Sequence, residues 1–205
     1  MPVVPTAITA AINAQFAAVG FSGRNDFDIA VAIGNGVGNY MITPNLVTGT
    51  LSGTAGPTSS VSSLAVIGLV PQVMSGFMVQ RAAGSDVRGR DVFKFFNAVS
   101  TGIVTVLQTA FLTGTAVGIG PGGGIGRFTT VNEQAISSLV NAQFVAKNIT
   151  GRDAFKIANA IGFGIANHLR TSVTFSLVAM GAVAPVPPVG PVPVAGIPTV
   201  TTKIS

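Results

Sequence analysis

The chain has 205 residues, 48% hydrophobic and only 8% charged, with a net charge of +5, one histidine and no cysteine. A charged fraction so far below the roughly 25% of ordinary soluble proteins excludes a conventional, fully solvated monomer surface, and the lack of cysteine excludes disulfides and thiolate metal sites. No charge occurs between Asp28 and Arg81 or between Arg170 and Lys203, so wide surfaces consist of Ser, Thr, Gly, Asn and apolar groups that call for a cover of lipid or protein.

In chain order, residues 6–19 predict a first helix, with Ile8, Ile12 and Phe16 at helical spacing. A polar elbow follows, Gly23-Arg24-Asn25-Asp26-Phe27, and this short motif returns twice, as Gly89-Arg90-Asp91-Val92-Phe93 and Gly151-Arg152-Asp153-Ala154-Phe155. Counted from each motif glycine, the aromatic falls at four, an alanine at nine (Ala32, Ala98, Ala160) and a glycine at thirteen (Gly36, Gly102, Gly164). Upstream, Asn13-Ala14-Gln15-Phe16 matches Asn141-Ala142-Gln143-Phe144. The motif glycines are separated by 66 and 62 residues, too long a period for most solenoid repeats, so each copy reads as a supersecondary unit.

After the elbow a second helix is expected. Asn25, Asp91 and Asp153 suit its start, because a side-chain oxygen there accepts from unpaired backbone N–H groups and a carboxylate suits the positive end of the dipole. Phe155, Ala158, Ile161, Ile165 and Leu169 are assigned to one buried face, with the motif Phe as anchor. The glycine at thirteen sits inside this helix, where it costs about 1 kcal/mol relative to Ala; a close approach of another helix would compensate. Beyond the helix the sequence turns to β-type alternation, Val47/Gly49/Leu51 against Thr48/Thr50/Ser52 and Val173/Phe175/Leu177 against Thr174/Ser176. Gly/Pro clusters at 53–57 and 118–124 break these runs, and a returning strand is expected at 61–67.

The second unit repeats the order with a first helix over 71–83, starting at Pro71, and the third with one over 133–147. The predicted fold is therefore α+β: three tandem units of helix-elbow-helix followed by a β-hairpin, packed with internal pseudo-symmetry. The units span 1–60, 61–130 and 131–183, and 184–205 form a Pro/Val-rich extended arm. This arm (Pro185, Pro187, Pro188, Pro191, Pro193 and Pro198 among valines) prefers a polyproline-like path and is expected to clasp a neighbouring subunit.

Signals of chemistry are weak. His168, near the end of the third unit's second helix, stands where the other copies carry Tyr40 and Val106, and reads as a helix-end or packing residue. Asp26 and Asp28 diverge on a helix, and no metal cluster or cofactor site emerges. The stretch Gly118-Ile119-Gly120-Pro121-Gly122-Gly123 formally satisfies a dinucleotide pattern, but a β-like run follows it instead of a helix, so it reads as a hairpin tip. The basic residues mix with Asp at the elbows; they fit ion-pairing corners, and leave room only for non-specific contact with DNA. The most apolar stretch, 95–112, is interrupted by Asn97, Ser100, Thr101, Thr105, Gln108 and Thr109, so membrane insertion is not expected. No amino-terminal signal is visible in residues 1–20.

Low charge, no Cys, the repeated Gly-Arg-Asp and Gly-Thr segments and the loop GTAVGIGPGGGIG together make a chain that resembles small virion structural proteins of tailed bacteriophages. That resemblance implies a non-enzymatic, homo-oligomeric neck, tail or baseplate subunit that contacts other virion proteins and is assembled in the host cytoplasm into the virion. Its structural residues would be Gly23, Arg24, Phe27, Gly89, Arg90, Asp91, Phe93, Gly151, Arg152, Asp153 and Phe155 at the elbows and Gly36, Gly102 and Gly164 in the helices. A membrane-active pore or lysis factor, built on the uncharged helix near 95–112, is the alternative.

Overall fold

Proline at the first helical position opens two of the units. Pro5 and Pro71, each after an extended valine (Val4, Val70), start α1 (Pro5–Ala18) and α3 (Pro71–Ala83), where a missing N–H costs nothing. The third unit uses a side-chain cap instead: Asn132 Oδ1 accepts from the backbone N–H of Gln134 at 2.7 Å and of Ala135 at 3.3 Å, opening α5 (Glu133–Ala146). Each first helix is followed by a longer one: α2 (Arg24–Ile42), α4 (Val92–Thr109) and α6 (Ala154–Ser172).

The computed structural model describes residues 4–41, 69–85, 87, 89, 91–110, 128 and 130–171 with their side chains, and some further segments as backbone only. Helix makes up 79% of the interpretable part, in six helices, with no strand, sheet or barrel there. The α+β class expected from the Thr/Val alternation is thus corrected to a helical body. Backbone ladders do join the connecting segments 47–51, 58–66, 111–117, 122–128, 175–180 and 199–203 in antiparallel order along the chain. Yet most of these runs are rich in Thr, Ser or Gly, and the described core is furnished almost entirely by helices; Phe128 is the one ladder residue in it. The arm at 184–198 and the Gly-rich tip at 118–121 lie outside the described residues, as does Arg90.

Each helix packs on its predecessor and its successor, and α6 packs on α1, so the six helices close into a ring with internal pseudo-threefold symmetry. Within each unit the helices form an antiparallel hairpin. Between the first two units, Tyr40 near the end of α2 accepts a hydrogen bond from Val70 N just before α3; within the second unit, Gln108 near the end of α4 donates to Leu69 O at 3.0 Å. Arg170 of α6 meets Glu133 of α5 at 3.1 Å. The three elbows therefore share one end of the ring, and the helix ends that lead to the ladders share the other.

The first helices bury one stripe, such as Ile8, Thr9, Ile12 and Phe16 in α1. The second helices bury much more; in α4 it is Phe96, Ala98, Val99, Ser100, Gly102, Ile103, Val104, Val106 and Leu107. One volume exchange accounts for a departure of the middle unit from its sisters. Seven residues before the motif glycine stand Phe16, Ala82 and Phe144, and seven after it Ala30, Phe96 and Ala158, all buried. Every unit thus supplies one Phe and one Ala, on opposite helices in the second unit, and volume-conserving exchanges are the best tolerated in close-packed interiors.

Candidate functional site

Two features repeat with the units, a seam of small residues between helices and the elbow itself. The seam is built from positions fixed by the repeat. A Cβ added at Gly36 would meet Met78 Cγ at 2.2 Å and its backbone N at 3.1 Å; at Gly102 it would meet Val140 N at 2.7 Å, and at Gly164 Ile12 N at 2.8 Å. Met78, Val140 and Ile12 all stand eleven residues before a motif glycine. The glycine at thirteen of each unit is therefore where its second helix touches the first helix of the next unit, and the third of these contacts, Gly164 on Ile12, closes the ring.

A second seam lies within the units. At eleven residues past the motif glycine stand Gly34, Ser100 and Gly162, and fourteen before it Thr9, Ser75 and Ser137. A Cβ at Gly34 would meet Thr9 Oγ1 at 2.2 Å, and one at Gly162 Ser137 Oγ at 2.2 Å. The buried hydroxyls are satisfied within their own helices: Thr9 Oγ1 donates to Pro5 O at 3.0 Å, Ser75 Oγ to Gln72 O at 2.9 Å and Ser137 Oγ to Glu133 O at 2.8 Å. No donor is left for a ligand at these points.

At the elbows, α1 and α5 end alike. Gly20 (φ 89°) and Asn148 (φ 54°) adopt the left-handed conformation; Phe21 N donates to Phe16 O and Ile149 N to Phe144 O, both at 2.8 Å, with Gly20 N to Ala17 O at 3.1 Å and Asn148 N to Val145 O at 3.0 Å. This is a Schellman stop, and the Phe16–Phe21 edge contact (centroids 5.9 Å apart) is its hydrophobic clasp. The repeated Asn-Ala-Gln-Phe stretch is thus a helix-ending signal. Sequence reasoning used it only as evidence of duplication, although Gly20 and Asn148, each four residues after the Phe, announced the turn.

The motif residues themselves need two corrections. First, the carboxylates do not cap their helices through the first-turn N–H groups. Asp91, at the N-cap, makes no side-chain capping bond and pairs with Lys94 at 2.9 Å. Asp153 pairs with Lys156 at 3.0 Å. In the first unit Asp26 Oδ2 accepts from Gly23 N at 2.8 Å, the reach-back half of a capping box, leaving Asn25 without that role. Second, the motif phenylalanines do not anchor the core: Phe27 is 50%, Phe93 59% and Phe155 58% exposed. At about 100° per residue, Phe155 lies roughly 80° from the centre of the stripe formed by Ala158, Ile161, Ile165 and Leu169, which are fully buried. Gly89 has φ 152°, while a Cβ at Gly151 would meet nothing within 4 Å; Arg24 and Arg152 are exposed beside their glycines.

His168 is 95% buried near the end of α6, its Nε2 makes no hydrogen bond among the described residues, and burial lowers its pKa below 6.5. No group of three His, Cys, Asp or Glu able to hold a metal occurs among the described residues. No described helix is long and apolar enough to cross a membrane. No family model, curated protein or solved structure matches the chain.

Proposed function

We propose that this protein is a non-enzymatic structural subunit that assembles into a symmetric particle, of the kind found in the neck, tail or baseplate of tailed phages. The observation that carries the reading is the closure of three equivalent helix pairs into one ring. A closed ring with three like modules offers the same contact in three directions, and repetition of one contact with rotation is how symmetric assemblies are generated. The sparse charge adds to this. Of the charged residues described with side chains, all but Glu133 and Arg170 lie at the elbow end, which leaves the flanks of the ring to amides, hydroxyls and apolar groups suited to burial against other subunits. Pairing of two such chains would give a sixfold arrangement of modules. Native mass measurement and negative-stain microscopy of the purified full chain test the reading: discrete closed oligomers are expected, and a monomer at every concentration would overturn it.

A further inference from the structure

Resting on that reading, we propose that the elbow end of the ring is a self-association face, on which Phe27, Phe93 and Phe155 of one chain pack against the elbow end of a second copy. Three observations converge. The aromatic is identical in all three units, yet none of the three is used in the core: each is half exposed or more. All three occupy the first turn of a second helix, and all second helices start at the same end of the ring, so each unit places its phenylalanine at that end. Large exposed aromatics grouped in this way mark interaction surfaces, and Phe is enriched in interface cores.

The charges around the triad select the occupant. Phe27 lies between Asp26 and Asp28 with Arg24 nearby, Phe93 between Asp91 and Lys94, and Phe155 between Asp153 and Lys156. Lys94 and Asp91 are 56% and 58% exposed, so both signs face outward. A polyanion or an anionic bilayer would gain from the lysines but would meet a carboxylate beside every Phe. A second elbow end presents both signs as well, and in a two-fold contact, where residue i meets j and j meets i, Asp91 or Asp153 of one chain can meet Lys94 or Lys156 of the other.

The test compares the wild-type chain with Phe27→Ser/Phe93→Ser/Phe155→Ser by sedimentation equilibrium and native mass measurement, with helical circular dichroism as the fold control. The expected result is a weakening of self-association on the order of a hundredfold or more, with helix content kept. An assembled wild type matched by an equally assembled triple variant would overturn this face while leaving the structural-subunit reading standing; a monomeric wild type would overturn both. Self-association unchanged, with loss of binding to anionic vesicles or to duplex DNA, would assign the triad to another partner and overturn the proposal. Should the triple variant not fold, Phe93→Cys in this cysteine-free chain supplies an independent readout: a flexible bismaleimide is expected to trap a covalent pair of chains, and failure to trap one sinks the idea.

Discussion

The glycines of the helix seams can be tested against a glycine of the same helical environment that has no neighbour. Replacing Gly by Ala inside a helix is worth about 1 kcal/mol through backbone entropy alone. Gly76, in the middle of α3, is exposed and a Cβ there meets nothing within 4 Å, so Gly76→Ala should stabilise by close to that amount, roughly 2–4 °C in melting temperature for a chain of this size. At Gly102 the added Cβ stands 2.7 Å from Val140 N and 2.8 Å from Val140 Cα; at Gly164 it stands 2.8 Å from Ile12 N and Cα, where ordinary contact begins near 3.4 Å. Both obstacles are backbone, so a whole helix must shift rather than one side chain. Overpacking costs about 1–3 kcal/mol in general, and a backbone obstacle belongs at the upper end, so the propensity gain is outweighed and both variants should melt lower than wild type. Gly36→Ala meets chiefly Met78 Cγ, with the Met78 backbone at 3.1 Å or more, and a thioether can be redirected; its loss should be the smallest of the three. Urea denaturation followed at the helical circular dichroism band separates these cases. If Gly102→Ala and Gly164→Ala stabilise as much as Gly76→Ala, the close seam is not where the ring is held, and the reasoning fails.

Phe96→Ala should cost about 3–5 kcal/mol, and combining it with Ala82→Phe should restore a measurable part of that loss in the same denaturation assay, since the pair then reproduces the Phe/Ala order of the other two units. Removing the α5 cap with Asn132→Ala should cost about 1 kcal/mol, whereas Asp91→Asn, which removes the charge from the exposed pair with Lys94, should change stability by less than about 0.5 kcal/mol. For His168 the folded pKa lies below the unfolded value of 6.5; its contribution to stability is therefore present above pH 6.5 and lost as the pH falls below it toward the folded value. Denaturation midpoints taken from pH 7.5 down to pH 5 should fall more for wild type than for His168→Gln, and parallel curves would remove the histidine from the argument.

The repeat, its helix pairs and the need for a compensating contact at Gly36, Gly102 and Gly164 were legible in the sequence, because register and helix propensity are local properties. Which helix makes that contact was not, since it lies across a unit boundary and, for Gly164, nearly the whole chain away at Ile12. The motif Phe was misplaced for a related reason. Helical spacing alone put Phe155 with Ala158, but burial depends on what stands opposite, and the first turn of a second helix lies at the end of the ring beside an elbow. Residue type and position favour capping for the Asp residues, but the nearby Lys94 and Lys156 compete for the same carboxylates. The β alternation misled most about class, because a period of two reports backbone extension and says nothing of whether Thr and Gly side chains can furnish a core.

The outer face of α4 shows why so little charge is compatible with this body. Thr101 Oγ1 donates to Asn97 O at 2.7 Å, Thr105 Oγ1 to Thr101 O at 2.8 Å and Thr109 Oγ1 to Val106 O at 2.9 Å. Each hydroxyl is thereby turned into its own helix and each methyl is left outward. These threonines continue the line that starts at Phe93 and passes Asn97, four residues apart at each step; on α6 the same line runs through Phe155, Asn159, Phe163 and Asn167. Such a lane keeps a helix compatible with water without fixing a charge on it, and burying it later would carry no penalty for desolvating an ion. The elbow, where the charges gather, is instead the place where orientation can be specified. Uncharged flanks and a charged, aromatic end thus divide the surface into a part that can be covered at small cost and a part that decides which way round the covering subunit sits.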